Sequence, residues 1–112
     1  TVEFDVVIKS LSKNNVGTVL GTDVSTIMSC VIKDGTPTLL SSYKFSIDGA
    51  EQTVRTNIPI AFNQKYTIRV VTTLLKGRTR LRLGAPFNGN NQLTGDYSMI
   101  NIYRGMDKIA NP

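Results

Sequence analysis

Apolar and polar residues alternate with a period of two along much of this chain. The clearest stretch is Thr1–Lys9, in which every second residue is apolar and Glu3 and Asp5 fall between the apolar positions. The apolar set is Val2, Phe4, Val6 and Ile8. Because successive side chains of an extended strand point to opposite faces, the pattern predicts a strand with one buried and one exposed face.

The remaining chain divides into short strand-like segments separated by turn residues. These predicted strands are Val16–Leu20, Ser25–Lys33, Thr38–Leu40, Tyr43–Ile47, Glu51–Arg55, Asn57–Phe62, Tyr66–Leu74, an arginine-bearing strand between the turn glycines of Lys76–Gly84, and Tyr97–Tyr103. Asp34-Gly35 and Asp48-Gly49 are dipeptides that favour tight hairpin turns. Pro59 lacks an amide hydrogen, so its segment is expected at a sheet edge or in an extended loop.

No stretch shows a sustained apolar period of 3.6 residues, so we predict no helix. Short strands at regular spacing in 112 residues predict one all-β domain, a sandwich of two antiparallel sheets. We expect a jelly roll, with an immunoglobulin-like Greek key as the alternative. The longest strand is expected at Tyr66–Leu74 and a tail at Gly105–Pro112. In the last strand, Ile100 and Ile102 are expected on one face and Tyr97 on the other.

Arginine alternates with other residues along the segment Lys76–Gly84. Arg78, Arg80 and Arg82 are predicted to share one strand face, with Leu81 and Leu83 on the other. Residues 1–56 contain five basic and six acidic residues, whereas residues 57–112 contain eight basic and two acidic ones. This basic half has two interpretations. It binds an anionic partner, such as a glycan with acidic groups, or it is a charged surface that contacts only solvent.

The residue inventory argues against catalysis. The chain has no histidine, which removes the commonest general base, and its single cysteine, Cys30, can form neither an intrachain disulfide nor a Cys-rich zinc site. We therefore expect no enzyme activity and no cofactor. The unpaired Cys30 favours assembly in a reducing cytoplasm, followed by a location on a virion or an extracellular surface. The chain starts at Thr1 within a predicted strand, so we expect a fragment of a larger protein.

A binding site is expected around the Asn/Gly-rich loop near the arginine strand. Its candidate ligand-binding residues are Arg78, Arg80, Arg82, Asn88, Asn90, Asn91 and Tyr97. Asp48 and Asp96 could add oxygen ligands for calcium, although their spacing matches no calcium-binding pattern. No aromatic residue is interleaved with the arginines, which disfavours nucleic acid. No apolar stretch is long enough to insert into a membrane.

Four segments of the chain resemble laminin-G or concanavalin A-like jelly-roll domains. They are Thr1-Val-Glu-Phe-Asp-Val6, Gly17-Thr-Val-Leu-Gly21, Tyr43-Lys-Phe-Ser-Ile-Asp-Gly49, and Leu83-Gly-Ala-Pro-Phe-Asn-Gly89 with Leu93–Tyr103. The resemblance spans nearly the whole chain. It implies a lectin-like sandwich that binds carbohydrate without catalysis.

Compact modules of this kind resemble terminal domains of phage tail fibres and tailspikes. The resemblance implies a domain that recognises cell-surface glycan or trimerises a receptor-binding protein. Gly95-Asp-Tyr-Ser-Met-Ile-Asn-Ile102 is also similar to the last strand of pilins. The alternative is therefore a structural subunit, such as a pilin, capsid or decoration protein, completed by strand exchange or neighbour contacts.

Overall fold

The computed structural model of the protein describes residues 1–23, 25–52, 57–72, 80–85, 91–104 and 107–110. These ranges contain strands and turns and no helix. The strands are β1 (Val2–Ser10), β2 (Val16–Thr22), β3 (Thr26–Lys33), β4 (Thr36–Ser41), β5 (Phe45–Ile47), β6 (Ala50–Gln52), β7 (Ile58–Pro59), β8 (Lys65–Val70), β9 (Leu81–Leu83), β10 (Thr94–Arg104) and β11 (Asp107–Ala110).

The strands form two antiparallel sheets, which confirms the predicted sandwich. One sheet has six strands in the order β11-β10-β1-β8-β5-β6, and the other has five in the order β7-β4-β3-β2-β9. In the five-stranded sheet, β2, β3 and β4 are consecutive neighbours, and β9 returns over a long connection to lie beside β2.

The core lies between the sheets and is formed by apolar side chains at alternate strand positions, as predicted. In β1, Val2, Phe4, Val6 and Ile8 are buried, while the residues between them are partly exposed. The other buried apolar side chains come from both sheets: Val19, Leu20, Ile27, Met28, Cys30, Leu39, Phe45, Ile47, Ile60, Ile68 and Val70. Burying such side chains stabilises the fold by roughly 1.5–3 kcal/mol each, before the entropy of ordering them is counted.

Both predicted hairpin turns are present. Asp34 and Gly35 have φ angles of 51° and 78°, and Asp48 and Gly49 have φ angles of 50° and 87°. Positive φ at both central residues is the signature of a type I′ turn, whose twist matches that of the flanking strands. Asp tolerates this conformation and Gly adopts it without steric cost, so the dipeptides set the registers of β3–β4 and β5–β6.

The last long strand departs from simple alternation because it contains a bulge at Met99. Between β1 and β10, Asp5 pairs with Ser98 but Glu3 pairs with Asn101, so β10 has one extra residue there. Met99 has a φ of 52° and is 70% exposed. The expectation that Tyr97 faces away from Ile100 is wrong, because the bulge reverses the faces. Both side chains pack against the core.

Three strand boundaries also differ from the sequence predictions. The longest described strand is β10, with 11 residues, and β8 ends at Val70. Residues 107–110, predicted as part of a tail, form β11 and pair with β10. β7 has only two residues, one of them Pro59, and lies at the sheet edge as predicted.

Candidate functional site

The arginine strand is an edge strand of the five-stranded sheet. β9 pairs with β2, with Arg82 opposite Gly21. Arg80 and Arg82 are exposed, whereas Leu81 and Leu83 on the opposite face pack against the core. The predicted alternation of arginine and leucine is confirmed for these four residues. Arg78, Asn88 and Asn90 lie outside the described residues.

Arg80 and Arg82 differ in their electrostatic surroundings from those cations of the six-stranded sheet whose side chains the structure describes. In that sheet and its turns, Lys9 pairs with Asp96, Lys44 with Glu51, Lys65 with Asp5 and Arg69 with Glu3, at N–O distances of 3.1–4.0 Å. No described acidic side chain pairs with Arg80 or Arg82. Arg82 in β9 and Arg80 just before it therefore present two uncompensated positive charges to solvent.

Tyr97 is a core-packing residue and not a stacking surface for a sugar. Its hydroxyl donates a 2.6 Å hydrogen bond to the carbonyl oxygen of Val19, and its ring lies 5.5 Å from that of Phe4. Burial raises the pKa of Tyr97. A Cβ built on Gly84 would lie 3.5 Å from the tyrosine ring, which places that ring beside the end of β9. Tyr97 is thus near the arginine strand but on its inner side.

Asn91, the other candidate that the structure describes, has a structural contact. Its backbone carbonyl accepts a 2.8 Å hydrogen bond from the amide of Thr18 in β2. This bond holds the end of the Asn/Gly loop against the five-stranded sheet. Of the candidate ligand-binding residues that the structure describes, Arg80 and Arg82 share an exposed surface, whereas Tyr97 does not join them.

The carboxylates considered for calcium are far apart. Asp96 lies in β10 and Asp48 follows β5, and these strands are separated by β1 and β8. Three strand spacings place them roughly 14 Å from one another, too far for one ion. Asp48 accepts a 2.8 Å hydrogen bond from the amide of Thr67, and Asp96 pairs with Lys9. Among the described residues, no three His, Cys, Asp or Glu side chains cluster as a metal site would require.

The thiol of Cys30 is not activated as a nucleophile. Cys30 is buried in the core, and this burial raises the pKa of its thiol to about 11. The thiol is therefore protonated at neutral pH, and the thiolate that would act as a nucleophile is absent. Glu3 and Asp5 share the exposed face of β1, as predicted. Glu3 accepts hydrogen bonds from Tyr103 and Asn101, and Asp5 accepts one from Thr67.

A polar groove on the outer face of the six-stranded sheet is not evident from the sequence. Strand register places Glu3, Arg69, Ser46 and Glu51 in one row across β1, β8, β5 and β6. With neighbouring residues they line a groove of about 480 Å³. These residues are up to 66 positions apart in sequence. The only available signal was the polar character of alternate positions, since strand order is not visible in the sequence.

No protein-family model matches the chain, and comparisons with curated proteins and with solved structures found no match. The resemblance to laminin-G-like jelly rolls therefore stays a prediction. The part of the chain that the structure describes contains no helix long and apolar enough to cross a membrane.

Proposed function

We propose that the chain is a non-catalytic binding or assembly module of a surface or virion protein. It recognises a cell-surface glycan or trimerises a phage receptor-binding protein, as the resemblances to laminin-G-like modules and to phage tail-fibre domains imply. The observation that carries the proposal is the exposed pair Arg80 and Arg82, which has no described acidic partner. Uncompensated arginines at a sheet edge favour an anionic partner, because guanidinium groups bind carboxylate and phosphate in a fixed geometry.

Further support comes from the lack of activated catalytic groups among the described residues. The thiol of Cys30 is protonated and buried, and the carboxylates of Glu3 and Asp5 are held by neighbouring side chains on an open sheet face. A cleft with a paired acid and base is the arrangement that general acid–base chemistry requires. The sandwich provides instead a stable support for surface contacts.

The proposal is tested with a glycan array and a solution mass measurement on the same protein. We expect binding to acidic glycans or a trimeric mass. Arg80→Ser combined with Arg82→Ser should weaken binding to acidic glycans at least about tenfold, since each charge-assisted contact contributes about 1.5–3 kcal/mol. The matched control is Lys13→Ser with Lys33→Ser, which removes two exposed charges elsewhere. A monomer that binds no glycan would contradict the proposal.

A structural subunit is the second candidate, and the short edge strand β7 favours it. β7 pairs with Thr38 and Leu39, and the amide of Ile60 donates to the carbonyl of Pro37, so the other half of the six-residue β4 has no strand partner on that side among the described residues. An extended segment from a neighbouring subunit could pair there by strand addition. Concentration-dependent assembly in light scattering would support this candidate. A stable monomer at high concentration would count against it.

A further inference from the structure

The polar groove lies between the β5–β6 hairpin and β8, on the outer face of the six-stranded sheet. Its volume of about 480 Å³ is within the range of roughly 300–1,000 Å³ typical of small-ligand sites. It contains two cations, Lys44 and Arg69, and two carboxylates, Glu3 and Glu51. The hydroxyls of Ser46 and Thr67 also line it. This mixture suits a ligand with both an acidic group and several hydroxyls.

Of the two cations in the groove, Arg69 has the longer ion pair. Its Nε lies 4.0 Å from Oε2 of Glu3, which is the outer limit of an ion pair. Glu3 is drawn toward β10 instead, because its Oε1 accepts hydrogen bonds from Tyr103 at 3.0 Å and Asn101 at 3.4 Å. The paired donors of the Arg69 guanidinium therefore stay open to a carboxylate, which can accept two parallel bonds.

The groove walls are held in place by the backbone. Asp48 anchors the β5–β6 hairpin to β8, because its amide donates to the carbonyl of Thr67 and its Oδ1 accepts from the amide of Thr67, both at 2.8 Å. The amide of Val71 donates a 3.1 Å hydrogen bond to the carbonyl of Lys44, which holds the start of β5 against the end of β8. A site formed before binding loses less conformational entropy when its ligand arrives.

The remaining lining residues select among anions. Glu3 and Glu51 would repel a dianion such as phosphate or sulfate, but as carboxylates they accept hydrogen bonds from hydroxyl groups. Val71 is 57% exposed at the groove and offers an apolar contact for the C–H face of a sugar ring. A monoanionic polyol fits this set better than an inorganic anion does.

We infer that the groove binds a carboxylated saccharide, such as a uronic acid unit of a surface polysaccharide. The carboxylate pairs with Arg69, and the hydroxyls donate to Glu3 and Glu51. Lys44, whose Nζ lies 3.6 Å from Oε1 of Glu51, adds positive charge beside the ligand. The inference rests on the proposed function, to which it adds a ligand class and a site. The groove and the Arg80/Arg82 edge lie in different sheets, so a single sugar unit tests the groove alone.

The test is an NMR titration of the labelled chain with methyl β-glucuronide and, as a matched probe, methyl β-glucoside. The two sugars differ only at C6, where the glucuronide has a carboxylate and the glucoside has a hydroxymethyl group. We expect the glucuronide to shift the amide signals of Ser46, Glu51 and Arg69, with a dissociation constant on the order of 1 mM, as is usual for one sugar unit. The glucoside should bind at least about tenfold more weakly, because it offers Arg69 no carboxylate.

Arg69→Gln should reduce glucuronide affinity at least about tenfold, whereas Lys65→Gln, which removes a charge from the same strand and face, should not. The double change Arg80→Ser and Arg82→Ser should leave the titration unchanged. Equal binding of both sugars, shifts confined to residues 80–83, or no shifts at all would overturn the groove assignment. Retained acidic-glycan binding on the array, or a trimeric mass, would leave the proposed function standing in any of those cases.

Discussion

The hydroxyl of Tyr97 donates a 2.6 Å hydrogen bond to the carbonyl oxygen of Val19 and so joins the two sheets. Tyr97 lies in β10 of the six-stranded sheet, and Val19 lies in β2 of the five-stranded sheet. The same carbonyl also accepts a 3.4 Å hydrogen bond from the amide of Gly84, just after β9. A single oxygen thus links β10, β2 and the end of the arginine strand.

We expect Tyr97→Phe to lower the free energy of unfolding by about 1 kcal/mol, the usual contribution of one buried hydrogen bond. The carbonyl of Val19 keeps its bond from Gly84, so the loss should not exceed this greatly. Urea unfolding followed by circular dichroism measures it. Tyr103→Phe is the control, because that hydroxyl donates to Glu3 at the sheet surface and its loss should cost less. Equal losses in both variants would contradict the role assigned to Tyr97.

Gly95 of β10 leaves no room for a side chain beside β1. A Cβ at this position would collide with the carbonyl oxygen of Val7 and lie 3.3 Å from Cα of Ile8. Both are backbone atoms in a central strand, so they cannot move aside as a flexible side chain would. We expect Gly95→Ala to destabilise the protein by about 1–3 kcal/mol, within the range for overpacked cores. Denaturant unfolding measures this change.

Gly35→Ala provides the comparison for Gly95→Ala, because its Cβ would meet no atom within 4 Å. Its only cost is the positive φ of 78°, which disfavours residues with a Cβ by about 1 kcal/mol. Gly95→Ala should therefore be the more damaging change. A Gly95→Ala variant as stable as the natural chain would show that β1 and β10 can separate locally.

Much of the fold follows from local sequence rules, whereas strand adjacency does not. The alternation in β1 correctly predicts its buried face, and the Asp-Gly dipeptides correctly predict the two type I′ turns, because both depend on neighbouring residues only. The faces of β10 were mispredicted after Ser98. Nothing local distinguishes an inserted residue such as Met99 from an ordinary strand position, and one such residue reverses every later side chain.

The candidate site was predicted less well for the same reason. Arg80 and Arg82 could be placed on one exposed face because their spacing is local. The sequence gives Tyr97 the same expected exposure as the arginines, yet its environment depends on the bulge and on the packing of Val19 from the other sheet. The polar groove requires the order β1-β8-β5-β6, which long-range pairing decides.

The bulge at Met99 predicts an unusual response to β-branched residues. Val and Ile normally suit strands, but at a φ of 52° their branched Cβ crowds the backbone. We expect Met99→Val to lower the free energy of unfolding by about 1 kcal/mol or more. Met99→Asn should be close to neutral, because Asn tolerates this conformation and the side chain is 70% exposed.

Ser98→Val, one residue earlier and also exposed, is the matched control and should cost little. If Met99→Val were as stable as Met99→Asn, the bulge would not persist in solution.

Cys30 predicts a loss of stability at alkaline pH. Burial raises the pKa of its thiol from an ordinary value of 9.0 to about 11, so the folded state favours the protonated form. The stabilisation is fully present below pH 9.0 and is lost as the pH rises toward 11. Other groups titrate in this window, so the measurement is the difference between the natural chain and Cys30→Ala.

We expect the natural chain to lose more unfolding free energy than Cys30→Ala between pH 8 and pH 10.5, whatever their stabilities at pH 8. The thiol reagent DTNB gives an independent measurement at pH 8. Because the reagent needs an accessible thiolate, it should label the unfolded chain within minutes and the folded chain far more slowly. Fast labelling of the folded chain, or identical pH profiles for the two proteins, would mean that Cys30 is not held in the core as the structure places it.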